Sequence, residues 1–134
     1  MTGTAASLAA LLSMSLSVQP VPEGIHREGN GRADLCGEEA ATVADLHRQL
    51  VGRLEALPGN ERYTALSDNV NLRIWTFTTD RHPAHPAVAC RTVSTDEAGN
   101  VRLRMEIMCH NARARCDALY REFEALNAQL SAQD

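Results

Sequence analysis

Apolar residues recur at two different spacings along the chain, and the change of spacing divides it into elements. From Cys36 to Leu57, and again from Ala112 to Leu130, they recur every three or four positions, which predicts two amphipathic helices. Between Val70 and Cys109 the chain is rich in β-branched and aromatic residues or alternates apolar with polar ones, which predicts strands. The predicted order is therefore helix, strands, helix.

The first helix is predicted to begin at Asp34, whose carboxylate can cap a helix amino terminus. Glu38 and Glu39 lie near its first turn, where negative charge is favourable to the helix dipole. Pro58, followed by glycine and asparagine, ends the helix. Its apolar stripe consists of Cys36, Ala40, Val43, Leu46, Leu50, Leu54 and Leu57.

Three strands are predicted to form an antiparallel meander. The first spans Val70–Thr79, and a loop with two prolines separates it from the second, Ala87–Thr95. The third, Val101–Cys109, alternates apolar and polar residues as a half-buried strand does. The segment Asp96–Asn100 is a hairpin turn in which Gly99 supplies a positive φ.

A second helix, capped by Asn111, is predicted after the meander. Residues 61–69, which precede the first strand of the meander, are predicted to be a loop or a short strand. The helix carries one apolar stripe, formed by Ala112, Cys116, Leu119, Phe123, Leu126 and Leu130. Since each helix and the meander has a single apolar face, the simplest packing lays both helices on one face of the sheet. The predicted fold is α+β: a helix, a three-stranded antiparallel meander and a helix, with the other sheet face open.

The amino-terminal segment has the composition of a signal peptide. No charged side chain occurs before Glu23, and residues 5–16 form an apolar and small-residue run as long as a signal-peptide h-region. Ser15 and Ser17 are small residues at positions −3 and −1 of a cleavage point, although the only cation ahead of the run is the α-amino group. The alternatives are a start further upstream, a disordered leader or a short core helix.

These features predict the domain organisation and the compartment. Residues 1–17 are a signal peptide, residues 18–33 a flexible arm rich in proline, glycine and charge, and residues 34–134 a single α+β domain. We expect the protein to be periplasmic or secreted.

The cysteines agree with export, because an even number in a small exported chain indicates disulfides. The alternative is four reduced, buried thiols. A zinc site is disfavoured because six residues separate Cys109 from Cys116, more than the two to four of a zinc knuckle.

The predicted hairpin register limits how the cysteines can pair. The turn places Cys90 opposite Glu106 or Ile107, which leaves Cys90 and Cys109 too far apart along their strands for a disulfide. A place beside Ile107 points Cys90 towards the predicted helices, and a place beside Glu106 points it away. The preferred connectivity is Cys36–Cys90 with Cys109–Cys116, and the alternative is Cys36–Cys109 with Cys90–Cys116.

Charge and motifs exclude several classes of function. All 13 basic residues are arginine, but the formal net charge is −4, so the chain lacks the positive field that nucleic-acid binding needs. No run reaches the roughly 18 apolar residues of a membrane span. Neither a hydrolase signature nor a phosphate-binding glycine loop occurs. We therefore predict a protein that is not an enzyme and needs no cofactor.

The open sheet face is the predicted partner-binding surface. Arg73, Trp75 and Phe77 share one phase of the first strand, and Arg102 and Arg104 point outward from the third. Tryptophan and arginine are enriched at interface hot spots, so a partner protein or a second copy is expected to cover this face. The alternative is a bulged first strand that buries Trp75 under the helices.

A histidine cluster suggests a second function, metal binding. His82 and His85 occupy a His-Pro-Ala-His-Pro loop, and His110 follows the third strand. Imidazoles at this spacing suit copper or zinc, whereas the alternative is a rigid surface loop with solvated histidines. The sequence therefore predicts a small exported binding protein of the inhibitor, immunity or envelope-accessory type, with a periplasmic copper- or zinc-binding protein as the alternative.

Overall fold

The structure is a computed structural model that describes residues 25–27 and 33–131. The predicted signal peptide and most of the predicted arm lie outside the described residues. In chain order the described elements are β1 (Ile25–Arg27), β2 (Ala33–Leu35), β3 (Glu38–Ala40), α1 (Val43–Val51), β4 (Glu55–Leu57), β5 (Tyr63–Asp68), β6 (Arg73–Thr78), β7 (Ala87–Thr95), β8 (Val101–Cys109) and α2 (Arg113–Ser131).

The main sheet of the described residues has six strands in the order β1-β8-β7-β6-β5-β4. Strands β4 to β8 run antiparallel, and β1 joins β8 in parallel. The predicted meander corresponds to β6, β7 and β8, with β7 and β8 at the predicted bounds. The prediction of three strands is wrong, because Tyr63–Asp68 pairs with β6 along its whole length and β4 and β1 extend the sheet further.

The two helices lie on opposite faces of the sheet, so the prediction that both share one face is wrong. Leu46 of α1 belongs to a core cluster with Trp75 and Met108, whereas Phe123 of α2 packs in a separate cluster with Ile107. The physical reason lies in β7, whose first five residues are all buried. A strand that is apolar on both faces requires cover on both.

The segment predicted as one helix from residue 34 contains instead the hairpin β2–β3, the short helix α1 and strand β4. Cys36 and Gly37 have φ values of 50° and 82°, which form the two-residue hairpin turn. Asp34 accepts a hydrogen bond from the Gly37 N–H, so it stabilises this turn and not a helix. The helix begins only after Thr42, whose hydroxyl accepts a hydrogen bond from the Asp45 N–H.

Both disulfides have the preferred connectivity. The Cα atoms lie 6.5 Å apart in Cys36–Cys90 and 5.9 Å apart in Cys109–Cys116. The register behind that preference is wrong, however, since Cys90 pairs with Glu106 and not with Ile107. The bond still forms because the hairpin carrying Cys36 lies over that face of the sheet, where the Cys36 N–H donates a hydrogen bond to Glu106.

Asn111 precedes α2 and ties its start to the proline-containing loop. Its side-chain oxygen accepts a hydrogen bond from the Ala112 N–H, and its amide donates to the carbonyl of His85. The helix itself begins at Arg113, two residues after the predicted cap. Neither helix in the described part of the chain is both long and apolar enough to cross a membrane.

Candidate binding surfaces

Trp75 and Phe77, the aromatic residues of the predicted partner-binding face, lie in the core. They are 1% and 3% exposed and pack in the same cluster as the buried residues of α1. No bulge is involved, because β6 pairs with β7 without interruption from Arg73 to Phe77. The prediction of an open face is therefore wrong at these two positions, since their side of the sheet is the one that α1 covers.

The three arginines of the predicted patch lie beyond the covered part of the same face. Arg73 and Arg104 both pair with Thr92 of the intervening strand, and Arg102 pairs with Ser94. Directly paired residues share a sheet face, so these five side chains form one surface. Arg102, Arg104 and Ser94 are exposed, and Arg73 and Thr92 are half-buried. We call these five residues the arginine end.

Two of the three arginines of the arginine end form no salt bridge within the described residues. Arg102 forms a salt bridge of 3.0 Å with Asp96. Arg73 and Arg104 form no salt bridge with any residue in the described ranges. Asp68 lies opposite Arg73 in the neighbouring strand, and hydrogen bonds from Asn71 together with the charge of Arg73 lower the pKa of its carboxyl group.

An exposed apolar rim borders the arginine end. Val70 and Leu72, in the turn between β5 and β6, are 90% and 57% exposed. Leu72 has a φ of 56°, a region that a leucine rarely occupies. A hydrogen bond from the Val93 N–H to its carbonyl holds the turn against the sheet. The side chains of this rim are therefore presented to solvent by an ordered turn.

His82, a predicted metal ligand, has both ring nitrogens engaged. It is buried, its Nδ1 accepts a hydrogen bond from the Ala84 N–H, and its Nε2 lies 2.9 Å from Glu122. Because Nδ1 accepts, Nε2 carries the proton and donates to Glu122. Burial, with the charges of Arg62 and His85, lowers the pKa of His82.

His85 and His110, the other predicted ligands, do not complete a metal site with His82. His85 Nδ1 lies 2.9 Å from the hydroxyl of Thr78, and the backbone N–H of His110 donates to the carbonyl of Pro86. Across residues 25–27 and 33–131, no three histidine, cysteine or acidic side chains are grouped to hold a metal ion. The histidine loop is thus held in place by hydrogen bonds within the chain.

A groove lies between α1, the start of β5, the end of β6 and the loop after β6. Its volume is about 410 Å³. We call it the α1 groove, and it is lined by Val43, Ala44, His47, Arg48, Thr64, Phe77, Thr78, Thr79, His85 and Pro86. The sequence does not indicate this site, because its lining depends on which sheet face α1 covers and on the distance of the loop from the helix.

Comparison of the chain with protein-family profiles, curated proteins and solved structures gives no match. The two surfaces are therefore distinguished by their geometry and charge.

Proposed function

We propose that this protein is a small exported binding protein, without enzymatic activity, that holds an acidic partner protein at its arginine end. The supporting observation is the alignment of Arg73, Arg102 and Arg104 on one sheet face, two of them without a salt bridge in the described part of the chain. Arginine is enriched in interface hot spots, and complementary charge guides and orients association. Val70 and Leu72 add apolar area at the rim.

A second copy of the chain is a poorer occupant than an acidic protein. A two-fold symmetric contact presents the same patch from both subunits. At the arginine end this arrangement brings the positively charged patch of one subunit against the same patch of the other. Like charges placed together in an interface cost free energy, so self-association through this surface is disfavoured.

Two disulfides support the proposed compartment. Both pairs join cysteines across the core of the domain, and disulfides persist in oxidising compartments such as the periplasm or the cell exterior. Export places the arginine end among secreted or envelope proteins, which are accordingly the proposed partners.

Charge reversal at the arginine end tests the proposal. Immobilised wild-type protein and an Arg73→Glu/Arg104→Glu variant are incubated with an extract of the cell's own envelope. We expect the wild type to retain an acidic protein in an amount that rises with the concentration of immobilised wild-type protein, and the variant not to retain it. Rising salt should elute this partner, because salt screens exposed charges.

The matched control is Arg115→Glu/Arg121→Glu, which reverses the same number of charges at two exposed positions of α2, across the sheet. This variant should retain the partner as the wild type does. Equal retention by both double variants, or binding that salt leaves unchanged, would contradict the proposal. Near-identical circular dichroism spectra and melting temperatures are required of all three proteins.

A further inference from the structure

We propose that the α1 groove is a separate binding site for a small aromatic monocarboxylate. Val43 and His47, and likewise Ala44 and Arg48, are four residues apart on α1, so they share one face of the helix. Phe77 is buried beneath them, and the His47 ring meets its ring edge-on with centroids 4.8 Å apart.

The charge of the lining is opposite in sign to that of the whole chain. His47, Arg48 and His85 line the groove, and among the described residues no aspartate or glutamate does, although the formal net charge of the protein is −4. Asp45 forms a salt bridge with Arg48 from outside the lining. The Arg48 side chain is 70% exposed, so it can turn towards a bound anion. The lining therefore complements a negatively charged group.

The existing hydrogen bonds of His85 determine which of its ring nitrogens can bind such an anion. The Thr78 hydroxyl donates to the carbonyl of Ala87 and accepts from the Ala87 N–H. It also lies 2.9 Å from His85 Nδ1, so this ring nitrogen has a partner. Within the described residues Nε2 of His85 has no hydrogen-bond partner, and it can donate to a carboxylate when it carries a proton. Within the described residues, His47 likewise has no hydrogen-bond partner, only its ring contact with Phe77.

The apolar part of the lining and its size define the rest of the ligand. Val43, Phe77 and Pro86 provide apolar surface, and aromatic rings prefer the edge-on geometry that His47 and Phe77 already show. A volume of about 410 Å³ lies at the lower end of the range of about 300–1,000 Å³ for small-molecule sites. A single aromatic ring with a short acidic chain suits this space better than a nucleotide or a lipid does.

The groove and the arginine end are distinct sites. Phe77 and Arg73 belong to the same face of β6 and are four residues apart, which corresponds to about 13 Å along a strand. Failure of either proposal therefore leaves the other standing.

The experiment uses phenylpropionate as the probe and the full chain labelled with nitrogen-15. We expect saturable shifts of backbone amide resonances confined to Val43–Arg48, the start of β5, the end of β6 and the loop that follows it as far as His85. Phenylpropanamide, with the same body and no charge, should bind at least about tenfold more weakly, as should phenethylamine. Saturation at other residues, or equal affinity for acid and amide, would overturn the proposal.

Two variants separate charge from fold. Arg48→Glu should weaken binding of the acid at least about tenfold, while Arg121→Glu on α2 should leave it unchanged. Preserved amide dispersion shows that Arg48→Glu is folded, and unchanged affinity in that folded variant would contradict the assignment.

A short peptide ending in phenylalanine is the last comparison. If it binds much more tightly than phenylpropionate, the occupant is a protein carboxyl terminus and the small-acid proposal is wrong.

Discussion

At the scale of single residues, the core contains polar groups, although burial away from water normally disfavours them. Arg91 is 3% exposed, donates hydrogen bonds to Thr76 and Asn127, and lies over the Phe123 ring at 4.8 Å. Its Nη2 atom has no partner among the described residues. Burial lowers the pKa of Arg91 to about 10, so the guanidinium is still charged at neutral pH. A buried charge without a carboxylate is costly because its desolvation is not offset.

Arg91→Met tests that cost. Methionine replaces the charged group with an apolar chain of similar length, so the free energy of unfolding should equal or exceed that of the wild type, although Asn127 loses a donor. Urea denaturation at neutral pH measures it. A loss of more than about 1 kcal/mol would show that the hydrogen bonds and the ring contact outweigh desolvation.

His82 makes stability depend on pH. Its pKa is lowered from 6.5 in the fold, because the buried ring is neutral and protonation at Nδ1 would bring a second proton against the Ala84 N–H. The unfolded chain therefore binds more protons below pH 6.5, so stability is complete above that pH and falls as acid is added.

His82→Asn is expected to shrink that acid-induced loss. The asparagine oxygen can accept from Ala84 without titrating, although the contact with Glu122 is lost. Unfolding free energies at about pH 7.5 and about pH 5 measure the difference. His110→Gln is the control and should keep the wild-type slope. An unchanged slope in His82→Asn would assign the acid sensitivity to other groups.

At the scale of elements, the hairpin β2–β3 contributes Leu35, Cys36 and Ala40 to the cluster beneath α1. It is attached to the sheet by the disulfide from Cys36 to Cys90 and by the hydrogen bond from the Cys36 N–H to Glu106. The second disulfide joins the end of β8 to the first turns of α2. Each bond therefore attaches a covering element to one face of the sheet.

The two disulfides should differ in their effect on stability. Cys36 and Cys90 are 54 residues apart, and removing their bond by Cys36→Ala/Cys90→Ala should cost about 4 kcal/mol. Cys109 and Cys116 are separated by only 7 residues, so Cys109→Ala/Cys116→Ala should cost about 2–3 kcal/mol. Thermal and urea unfolding compare the two variants. The reverse order would show that packing around the shorter loop outweighs chain entropy.

At the scale of the whole molecule, the described residues form a six-stranded sheet that is covered on both faces, and the small sheet β2–β3 forms part of the cover on the α1 side. One face is divided between α1 with its groove and the exposed arginine end, and α2 covers the other. The two proposed sites therefore lie on the same side of the protein, and α2 provides a surface for control substitutions that touch neither.

Export gives a prediction for the molecule as a whole. Purified from the envelope of its own cells, the protein should begin near Val18 and show no reactive thiol before reduction. Amino-terminal sequencing and thiol titration measure both properties. Recovery of the chain from the cytoplasm with Met1 intact and four reactive thiols would rule out export.

The features that depend on local sequence are those predicted correctly. Strands β7 and β8 have the predicted bounds, and Gly99 in the turn between them has the expected φ of 85°. Alternation and turn chemistry act over a few residues, so they are visible in the chain itself. The cysteine pairing is also correct, although it rests partly on a register that the structure contradicts.

The tertiary structure decided what local pattern left open. The stripe from Cys36 to Leu57 fits a helix, yet a turn with positive φ at Gly37 makes its start a hairpin, which α1 and β4 follow. Its residues as far as Leu50 are still buried, and Leu54 and Leu57 are half-buried. Periodicity also does not state which face of the sheet an element covers. That choice buried Trp75 and left Arg104 exposed. It also brought His47 and His85 into one groove, because such contacts join segments that are distant in the chain.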